Sequence, residues 1–506
     1  MRYLMILEVS QKQAYIFSSN KLKDNIRCSK NICQVTEPEY FAPIAEKAGL
    51  AFSEESNLVY SGGGHTVLEF DQEEEAKKFA YAVSKAAKQD FPGLELFIKT
   101  QKYNEKFTPE KNLKLLAKEL EVKKSFREAS FAQGTFGVEK MESSSRKAKP
   151  LVKLEKAVGY SDKKEYVPEG YRMPSKFEEL GNSKHRSSFI AVVHIDGNAM
   201  GKRVEELRKK YENESWEKYK VILKEFSESI DQDFKASYRE MTERIARSLE
   251  HGAAEKLDLK ENYFPVQKII LAGDDVCFVA EGRIGLEAAR IFIEQLSQKS
   301  NKQDHENYTA CAGVAIVHQK YPFYKAYELA EMLCSNAKKS IAEYGQDVKA
   351  CAIDWHIEFG ELTDSIEELR KNYRTADENF LELRPYLLWA EPDVLKKEPI
   401  RRYENFKNFL EQIQQEKFSY ARGKLKEFRE ALKEGEVNSE YYRKSNLLSV
   451  LAVTGYEGVY KEPDTSKLFT GKGLEGMTFI ETSDGKKRSL FFDGIEIVDT
   501  FIALDE

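Results

Sequence analysis

Lys268-Ile269-Ile270-Leu271-Ala272-Gly273-Asp274-Asp275-Val276-Cys277-Phe278-Val279 sets two apolar, strand-forming runs on either side of Ala272-Gly273-Asp274-Asp275. The pattern predicts a β-hairpin with two adjacent carboxylates at its tip. A polar tip ordinarily uses Asn-Gly or Asp-Gly, and neighbouring acids raise the cost of ionising one another. A divalent cation between them reverses that repulsion, because carboxylates are hard oxygen ligands. Upstream, the apolar run Phe189–Ile195 leads into Asp196-Gly197-Asn198-Ala199-Met200-Gly201-Lys202. Asp196 alone reads as a helix N-cap; taken with Asp274 and Asp275 it becomes the third member of a metal-binding acid set.

A strand ending in Asp, a long helix and then an Asp-Asp hairpin is the layout of a polymerase or cyclase palm. There, carboxylates hold two metal ions that clamp the attacking and leaving oxygens of a phosphoryl transfer. Around this core the sequence shows a weak internal duplication. In the first unit Tyr3–Val9 is a strand, followed by a polar helix or loop region. Asn57–Ser61 and Thr66–Phe70 are strands joined by Gly62-Gly63-Gly64-His65. A helix starts near Asp71, with Asp71 and Glu74 resembling a capping box, and Leu94–Thr100 is a further strand. In the second unit Phe189–Ile195 is a strand, and a long helix carries Tyr219, Leu223, Phe226, Ile230, Phe234, Tyr238, Met241, Ile245 and Leu249 at helical spacing. The Asp-Asp hairpin, a helix, the strand Tyr308–Val317, the helix Phe323–Glu343 and the strand Val348–Trp355 follow. Both orders predict an α+β fold of two ferredoxin-like palm domains. Their chemistry differs: Glu8 stands where the second unit has Asp196, and Gly-Gly-Gly-His replaces Ala-Gly-Asp-Asp.

The expected organisation is a degenerate first palm at 1–105, an inter-palm region at 106–185, a catalytic second palm at 186–360 and a helical C-terminal domain at 361–506 that ends in a β-hairpin. Within the inter-palm region a helix is expected over Phe107–Lys123, and Ser143–Pro150 reads as a solvated, mobile, locally basic loop. Ile366–Tyr373, Arg401–Lys417 and Ser419–Lys433 read as helices. Leu468–Thr482, the Asp484-Gly485 turn and Ser489–Phe492 suggest the terminal hairpin.

Composition narrows the class. The chain has 506 residues, 41% hydrophobic and 32% charged, with a net charge of −6, which argues against a surface that is wholly a nucleic-acid footprint. No run reaches the ~18 apolar residues of a membrane span. The N-terminus reads directly as a strand, without a signal-peptide cleavage region. The six cysteines include no Cys-x-x-Cys, so reduced, mostly buried thiols in a cytoplasmic protein are expected. A zinc ribbon is not.

Candidate site residues follow from these motifs. Asp196, Asp274 and Asp275 are the candidate catalytic residues. With Gly197 they are the candidate ligands of two Mg2+ or Mn2+ ions. Gly197-Asn198-Ala199-Met200-Gly201-Lys202 makes a small-residue turn into a helix, where backbone N–H groups can meet a triphosphate; Lys202 either joins them or is simply solvated. Gly273 lets a base or ribose approach the backbone. Lys338, on the helix after Thr309–Ile316, is within reach of a terminal phosphate or is an ordinary surface lysine. His65 is either a nucleotide contact or a turn residue, and His194 reads as a packed core residue. No Ser/His/Asp or Cys/His set is present in the pattern.

Together these residues resemble the large polymerase-cyclase subunit of type III CRISPR effector complexes. That family carries tandem palms, the second with a Gly-Gly-Asp-Asp hairpin, and makes cyclic oligoadenylates from ATP. Glu8-Val9-Ser10-Gln11-Lys12-Gln13-Ala14-Tyr15-Ile16-Phe17 with Ser19–Lys23 resembles its first-palm opening, in which an Asp usually stands at the position of Glu8. Tyr60-Ser61-Gly62-Gly63-Gly64-His65 is similar to its glycine hairpin. Asp196-Gly197-Asn198 through Met200-Gly201, and Ala272–Asp275, resemble its second-palm site. Lys338 resembles the lysine that this family and GGDEF diguanylate cyclases place near the triphosphate. Three departures stand out: Ala272 replaces the usual first glycine, the inter-palm zinc cysteines are absent, and the HD nuclease domain has no counterpart. Single-stranded DNA cleavage is therefore not expected.

The resemblance implies a metal-dependent nucleotidyltransferase that converts ATP into a cyclic or linear oligonucleotide messenger. Its first palm would hold an acceptor nucleotide in Gly62, Gly63, Gly64 and His65. Its second would bind the donor through Gly197, Asn198, Met200, Gly201, Lys202, Gly273 and Lys338. Implied partners are crRNA or target RNA and other effector subunits, with a homo-oligomer also compatible. A scaffold subunit with a silent cyclase, and a diguanylate-cyclase-like enzyme using GTP, are the alternatives.

Overall fold

The computed structural model describes residues 2–126, 166–180 and 189–504, apart from 258, 260, 346, 359, 361–364, 415–421, 447–477 and 483. β1 (Tyr3–Ser10) is followed by α1 (Lys12–Ile16), α2 (Leu22–Val35), α3 (Pro38–Lys47) and α4 (Glu54–Asn57), where the sequence shows only a polar stretch. β2 (Leu58–Gly62), β3 (His65–Phe70), α5 (Glu73–Asp90) and β4 (Glu95–Lys102) complete the first palm. Its sheet runs β2-β3-β1-β4 with every neighbour antiparallel, the ferredoxin-like order. The capping box expected of Asp71 and Glu74 is not formed. The N-cap of α5 is Gln72, without a side-chain cap, and the acidic first turn of Glu73, Glu74 and Glu75 faces the positive end of the helix dipole instead. α6 (Pro109–Ser125) begins from Thr108, whose hydroxyl accepts the Lys111 N–H. The expected Ser143–Pro150 loop and Leu468–Gly476 lie outside the described residues.

The second palm comprises β5 (Phe189–Gly197), α7 (Met200–Lys210), α8 (Trp216–Ser248), α9 (Ala254–Leu257), β6 (Val266–Ala272), β7 (Asp275–Glu281), α10 (Gly285–Ser297), β8 (Ala310–His318), α11 (Phe323–Ala342), β9 (Ala350–Glu358) and β10 (Tyr386–Ala390). Its strand order is β6-β7-β5-β8-β9-β10. The first four strands repeat the first palm's order. β9 then adds in parallel to β8 across the α11 crossover, and β10 pairs antiparallel at the edge.

Alternation along the strands decides how the palms join. Leu4 and Ile6 of β1 share one core with Val193 and Ile195 of β5 and the buried stripe of α8. Met5, Leu7 and Val9 share another with Ile190, Val192, Phe323 and Tyr327. α8 packs beside β2 of the first sheet, and α2 beside β6 of the second. Each large apolar side chain so buried contributes roughly 1.5–3 kcal/mol, so the contact between palms is part of the fold rather than a surface encounter.

The C-terminal region is anchored to the second palm through a buried charge cluster. Arg384 is fully buried over the Trp355 ring, 3.8 Å from its centroid, and donates to Asp493 at 2.7 Å and Glu496 at 2.9 Å. The longer helices described in this region are Tyr403–Gln414, Arg422–Lys433 and Glu436–Ser445, with a short one at Ile366–Leu369. A short hairpin pairs Phe479–Glu481 with Lys487–Ser489. It is not the last element: the helix Phe492–Ile497 follows it. Among the described residues no helix is long and apolar enough to cross a membrane, and the cysteines are free.

Candidate functional site

The reading of the acidic hairpin turns on register. β6 and β7 are joined by a two-residue turn, Gly273-Asp274, with Ala272 opposite Asp275. Gly273 has φ +63, a backbone that glycine adopts without the Cβ penalty. On the other side of β7, Asp275 pairs with Asp196 at the end of β5, and the Gly197 N–H donates to the Asp274 carbonyl at 3.3 Å. A Cβ on Gly197 would lie 2.8 Å from Met200 Cγ and 3.1 Å from Asp274 Cβ, so only glycine lets the two strand ends close up. Three carboxylates thus meet at one end of the sheet.

Their charges interact as the sequence implies. Burial, and then the negative charges of Asp196, Asp274 and Glu331, push the Asp275 carboxyl up to about 7, with Lys12 opposing. Burial and Asp196 also raise Asp274. The Asp275 side chain keeps 45% of its surface open, but its Oδ1 is sealed and has no hydrogen-bond partner. His194 Nδ1 lies 3.5 Å from that oxygen. Burial pushes the imidazole down to about 4, so at neutral pH it is an uncharged packing residue set edge-on against Tyr327.

Lys338 is brought into the site. From α11 its Nζ donates to Asp196 Oδ2 at 2.7 Å and to the Gly197 carbonyl at 2.9 Å. What delivers it is Gly313 on β8, where a Cβ would lie 1.9 Å from the Ala330 carbonyl oxygen and 2.4 Å from Cys334 N. α11 therefore rests directly on the strand backbone. The sequence quotes Gly313 inside an apolar run and gives no sign of this contact.

Other candidates are placed differently. Lys202 is exposed and pairs with Asp347 at 2.5 Å and with Glu206 at 3.8 Å. The Asn198 amide donates to the Ala350 carbonyl at 2.9 Å and its backbone N–H to Thr309 at 2.8 Å, tying the turn to the sheet. Met200 is buried, and Gly201 faces open space. Ala199 takes a left-handed φ of 56 as the N-cap of α7 and offers no side-chain cap, so the first-turn amides of that helix have no side-chain acceptor there.

In the first palm, Gly63 and Gly64 form the hairpin turn with φ +57 and +76. A Cβ on Gly62 would lie 2.9 Å from Ser227 Oγ of α8, and one on Gly64 2.8 Å from Lys12 Cε. Of the three only Gly63 would take a Cβ without a clash, its nearest neighbour being His65 Nδ1 at 3.9 Å. His65 sits edge-on to Tyr60, and Glu8, opposite it in β1, pairs with Lys124 at 2.8 Å. The two hairpins meet tip to tip: a Cβ on Gly273 would lie 3.9 Å from the Gly63 nitrogen.

Among the described residues no group of three or more His, Cys, Asp or Glu side chains is arranged to hold a metal ion. Two observations nevertheless suit a hard divalent cation at the acids. Asp275 Oδ1 is buried without a partner, and Asp196 Oδ2 with the Gly197 carbonyl already grips an ammonium charge.

Two interlocked ferredoxin-like units with an acidic hairpin in the second define a tandem-palm protein. Residues 189–346 match the family model described as Cas10/Cmr2, second palm domain. The whole chain shares its fold with chains of solved Csm1 structures. Against the Csm1–Csm4 cassette in complex with cA3 it has 14% identity and a TM-score of 0.55, covering 99% of this chain and 70% of that one. Against the cassette in complex with one ATP the values are 15% and 0.54, covering 98% and 69%. Csm1 in T. onnurineus gives 17% and 0.51, with the same coverage of 98% and 69%. No curated protein matches the chain. The chain is thus Cas10-like, by sequence in its second palm and by fold throughout.

Proposed function

We propose that this chain is a metal-dependent nucleotidyltransferase that joins ATP into a cyclic or linear oligonucleotide signal, working as the polymerase-cyclase subunit of a type III CRISPR effector. The observation that carries this reading is the meeting of Asp196, Asp274 and Asp275 at adjacent strand ends, where the Gly273 turn meets the Gly63 turn of the first palm. Asp196, the Gly197 carbonyl, Asp274 and Asp275 would hold two Mg2+ or Mn2+ ions. Ions bound there would supply the charge that activates a ribose 3′-hydroxyl and offsets the negative charge of a departing pyrophosphate. The uncapped first turn of α7 receives the donor triphosphate through backbone N–H groups, and Lys338, once it leaves Asp196, supplies positive charge to the same phosphates. The Gly273 and Gly63 turns let a nucleotide lie against the backbone from each side. The first palm holds the acceptor, because its hairpin carries Gly-Gly-Gly-His in place of an acid pair and Glu8 is already paired with Lys124.

ATP is favoured over GTP by the solved chains of this fold that are in complexes with ATP and cA3, and association with other effector subunits by the cassettes that contain Csm4. The test is mass spectrometry of products after incubation with each NTP and Mg2+ or Mn2+, with and without partner subunits and target RNA. Adenylate oligomers lost on Asp274→Ala/Asp275→Ala are expected. Guanylate products would instead favour the diguanylate-type reading, and no product under any condition the scaffold reading.

A further inference from the structure

The helix that carries Lys338 is gripped from behind by the C-terminal region. The parallel register of β8 and β9 sets Asp354 beside Gly313, the point where α11 rests on the strand backbone. Asp354 is fully buried. Its Oδ2 accepts from the Asn336 amide of α11 at 2.7 Å. Its Oδ1 accepts from Arg370 Nη2 at 2.7 Å and from the Trp355 N–H at 2.9 Å. Arg370 directly follows the helix Ile366–Leu369, and its Nη1 lies 3.8 Å from Glu382 Oε1. One buried carboxylate thus joins the C-terminal region to α11, through a charge-assisted bond on one side and an amide on the other.

Asn336 and Lys338 leave α11 on opposite sides of its contact with the sheet, as residues two apart on a helix do. Ala337 between them is buried. β8 lies between β9 and β5. Asn336 reaches Asp354 on β9, and Lys338 reaches Asp196 at the end of β5. Gly313 sets how closely the helix approaches the sheet. The Asn336 bond resists rotation of the helix about its own axis, the motion that swings Lys338 towards or away from the acids. An apolar pair would fill this place without the desolvation cost of a buried charge; what Asp354 adds is direction.

We propose that Asn336, Asp354 and Arg370 form a positioning relay through which the C-terminal region sets the rotation of α11, and with it the place of Lys338 between Asp196 and the donor phosphates. The proposal rests on the reading of Lys338 as the lysine that meets those phosphates. None of the three touches a reacting atom; they act through Lys338.

Two measurements on the full chain test it. The first needs neither metal nor nucleotide: acylation by a lysine-selective reagent, read residue by residue by mass spectrometry. The Lys338 side chain is 31% exposed, so the reagent reaches it. Asn336→Ala should speed its labelling several-fold. Lys220, ion-paired with Glu69 on α8, is the control for general loosening and should not change. Arg370→Lys keeps a charge for Asp354 but not the reach of the guanidinium, and should speed Lys338 labelling in the same direction. Unchanged labelling in Asn336→Ala, or a rise matched at Lys220, would overturn the relay. A rise in Asn336→Ala with none in Arg370→Lys would overturn the part played by the C-terminal region. Asn336→Leu, close in size, takes the place of the Ala variant if that does not fold. The second measurement is kinetic. Asn336→Ala should raise the KM for ATP about 3–10-fold, and should add nothing further in a Lys338→Met background; equal rises in both backgrounds would overturn action through Lys338. A wild-type chain that forms no product from ATP would sink the catalytic reading instead, while the labelling still judges the relay.

Discussion

Lys338 Nζ lies 2.7 Å from Asp196 Oδ2, so a cation from α11 rests on the acid that ends β5. The same ammonium also holds the Gly197 carbonyl. The lysine and an incoming divalent ion compete for these two oxygens, and whichever leaves is free to meet phosphate. Lys338→Met should therefore raise the KM for ATP and lower turnover, together by about 10–100-fold in kcat/KM, while Mn2+ binding is kept or tightened. Steady-state kinetics beside an EPR titration measures both, and an unchanged KM would remove Lys338 from the phosphate site.

Asp274→Ala/Asp275→Ala should abolish pyrophosphate release without loss of fold. The removed groups repel one another, so the melting midpoint should stay level or rise. Coupled-enzyme detection of pyrophosphate and circular dichroism settle the matter; a well-folded double variant with full activity would eliminate the site.

Gly63 differs from its neighbours in that a Cβ would meet only His65 Nδ1, at 3.9 Å, and it has φ +57. Gly63→Val adds bulk beside that contact and strains the turn, at a cost of about 1–2 kcal/mol for a left-handed non-glycine residue. Product formation should drop well beyond what the stability loss explains, because the nucleotide and the Val side chain need the same volume. ATP binding measured by calorimetry, compared with the melting midpoint, separates the two effects.

Glu8→Gln should be milder than Asp275→Asn. Glu8 loses one ion pair with Lys124, whose side chain is 15% exposed, whereas Asp275 stands in the acid set itself. If the two variants lost activity equally with folding intact, the division of labour between the palms would be wrong.

Gly313→Ala should damage the site from behind. Its Cβ would meet the Ala330 carbonyl oxygen at 1.9 Å, so α11 must lift from β8 and carry Lys338 with it. Overpacking of this kind costs about 1–3 kcal/mol. The midpoint should fall, and activity should fall further than in an equally destabilised variant remote from α11.

His65 gives a pH test. Burial, with Lys12 next, pushes its imidazole down to about 4, against an unfolded value of ~6.5. Between those values the unfolded chain binds the extra proton, so the stability from neutral His65 is full above about pH 6.5 and is lost as pH falls towards 4. The stability difference between wild type and His65→Gln should therefore shrink on acidification through that window. Denaturant melts from pH 4.5 to 7.5 check it, and a pH-independent difference would show that His65 does not titrate as placed.

The palm order, the α8 stripe and the acidic tip were legible because each is written in local periodicity or adjacency. Asp274 and Asp275 repel whatever the fold, and Tyr219 through Ile245 recur at helical spacing whatever they pack on. Residues whose role depends on a distant partner were not. Lys12 reads as one more polar residue after a strand, and only its tertiary bond to the Gly63 carbonyl gives it a place. Gly313 lies in an apolar run whose need for glycine comes from α11. Lys202 and Asn198 sit close to Asp196 along the chain, and in the structure they pair with Asp347 and the Ala350 carbonyl, partners that the sequence does not announce. Asp71 was misread because the helix began beyond it, at Glu73.

Alternate residues of β1 and β5 enter both cores, and this binds the histories of the two halves together. A packing change in the first palm alters the bed on which the acidic strands lie, so drift in one half must be answered by drift in the other. Exchanging a single palm between related chains should then give misfolded hybrids, and exchanging both together functional ones. Loss of the first palm's own chemistry would not release its interior from selection.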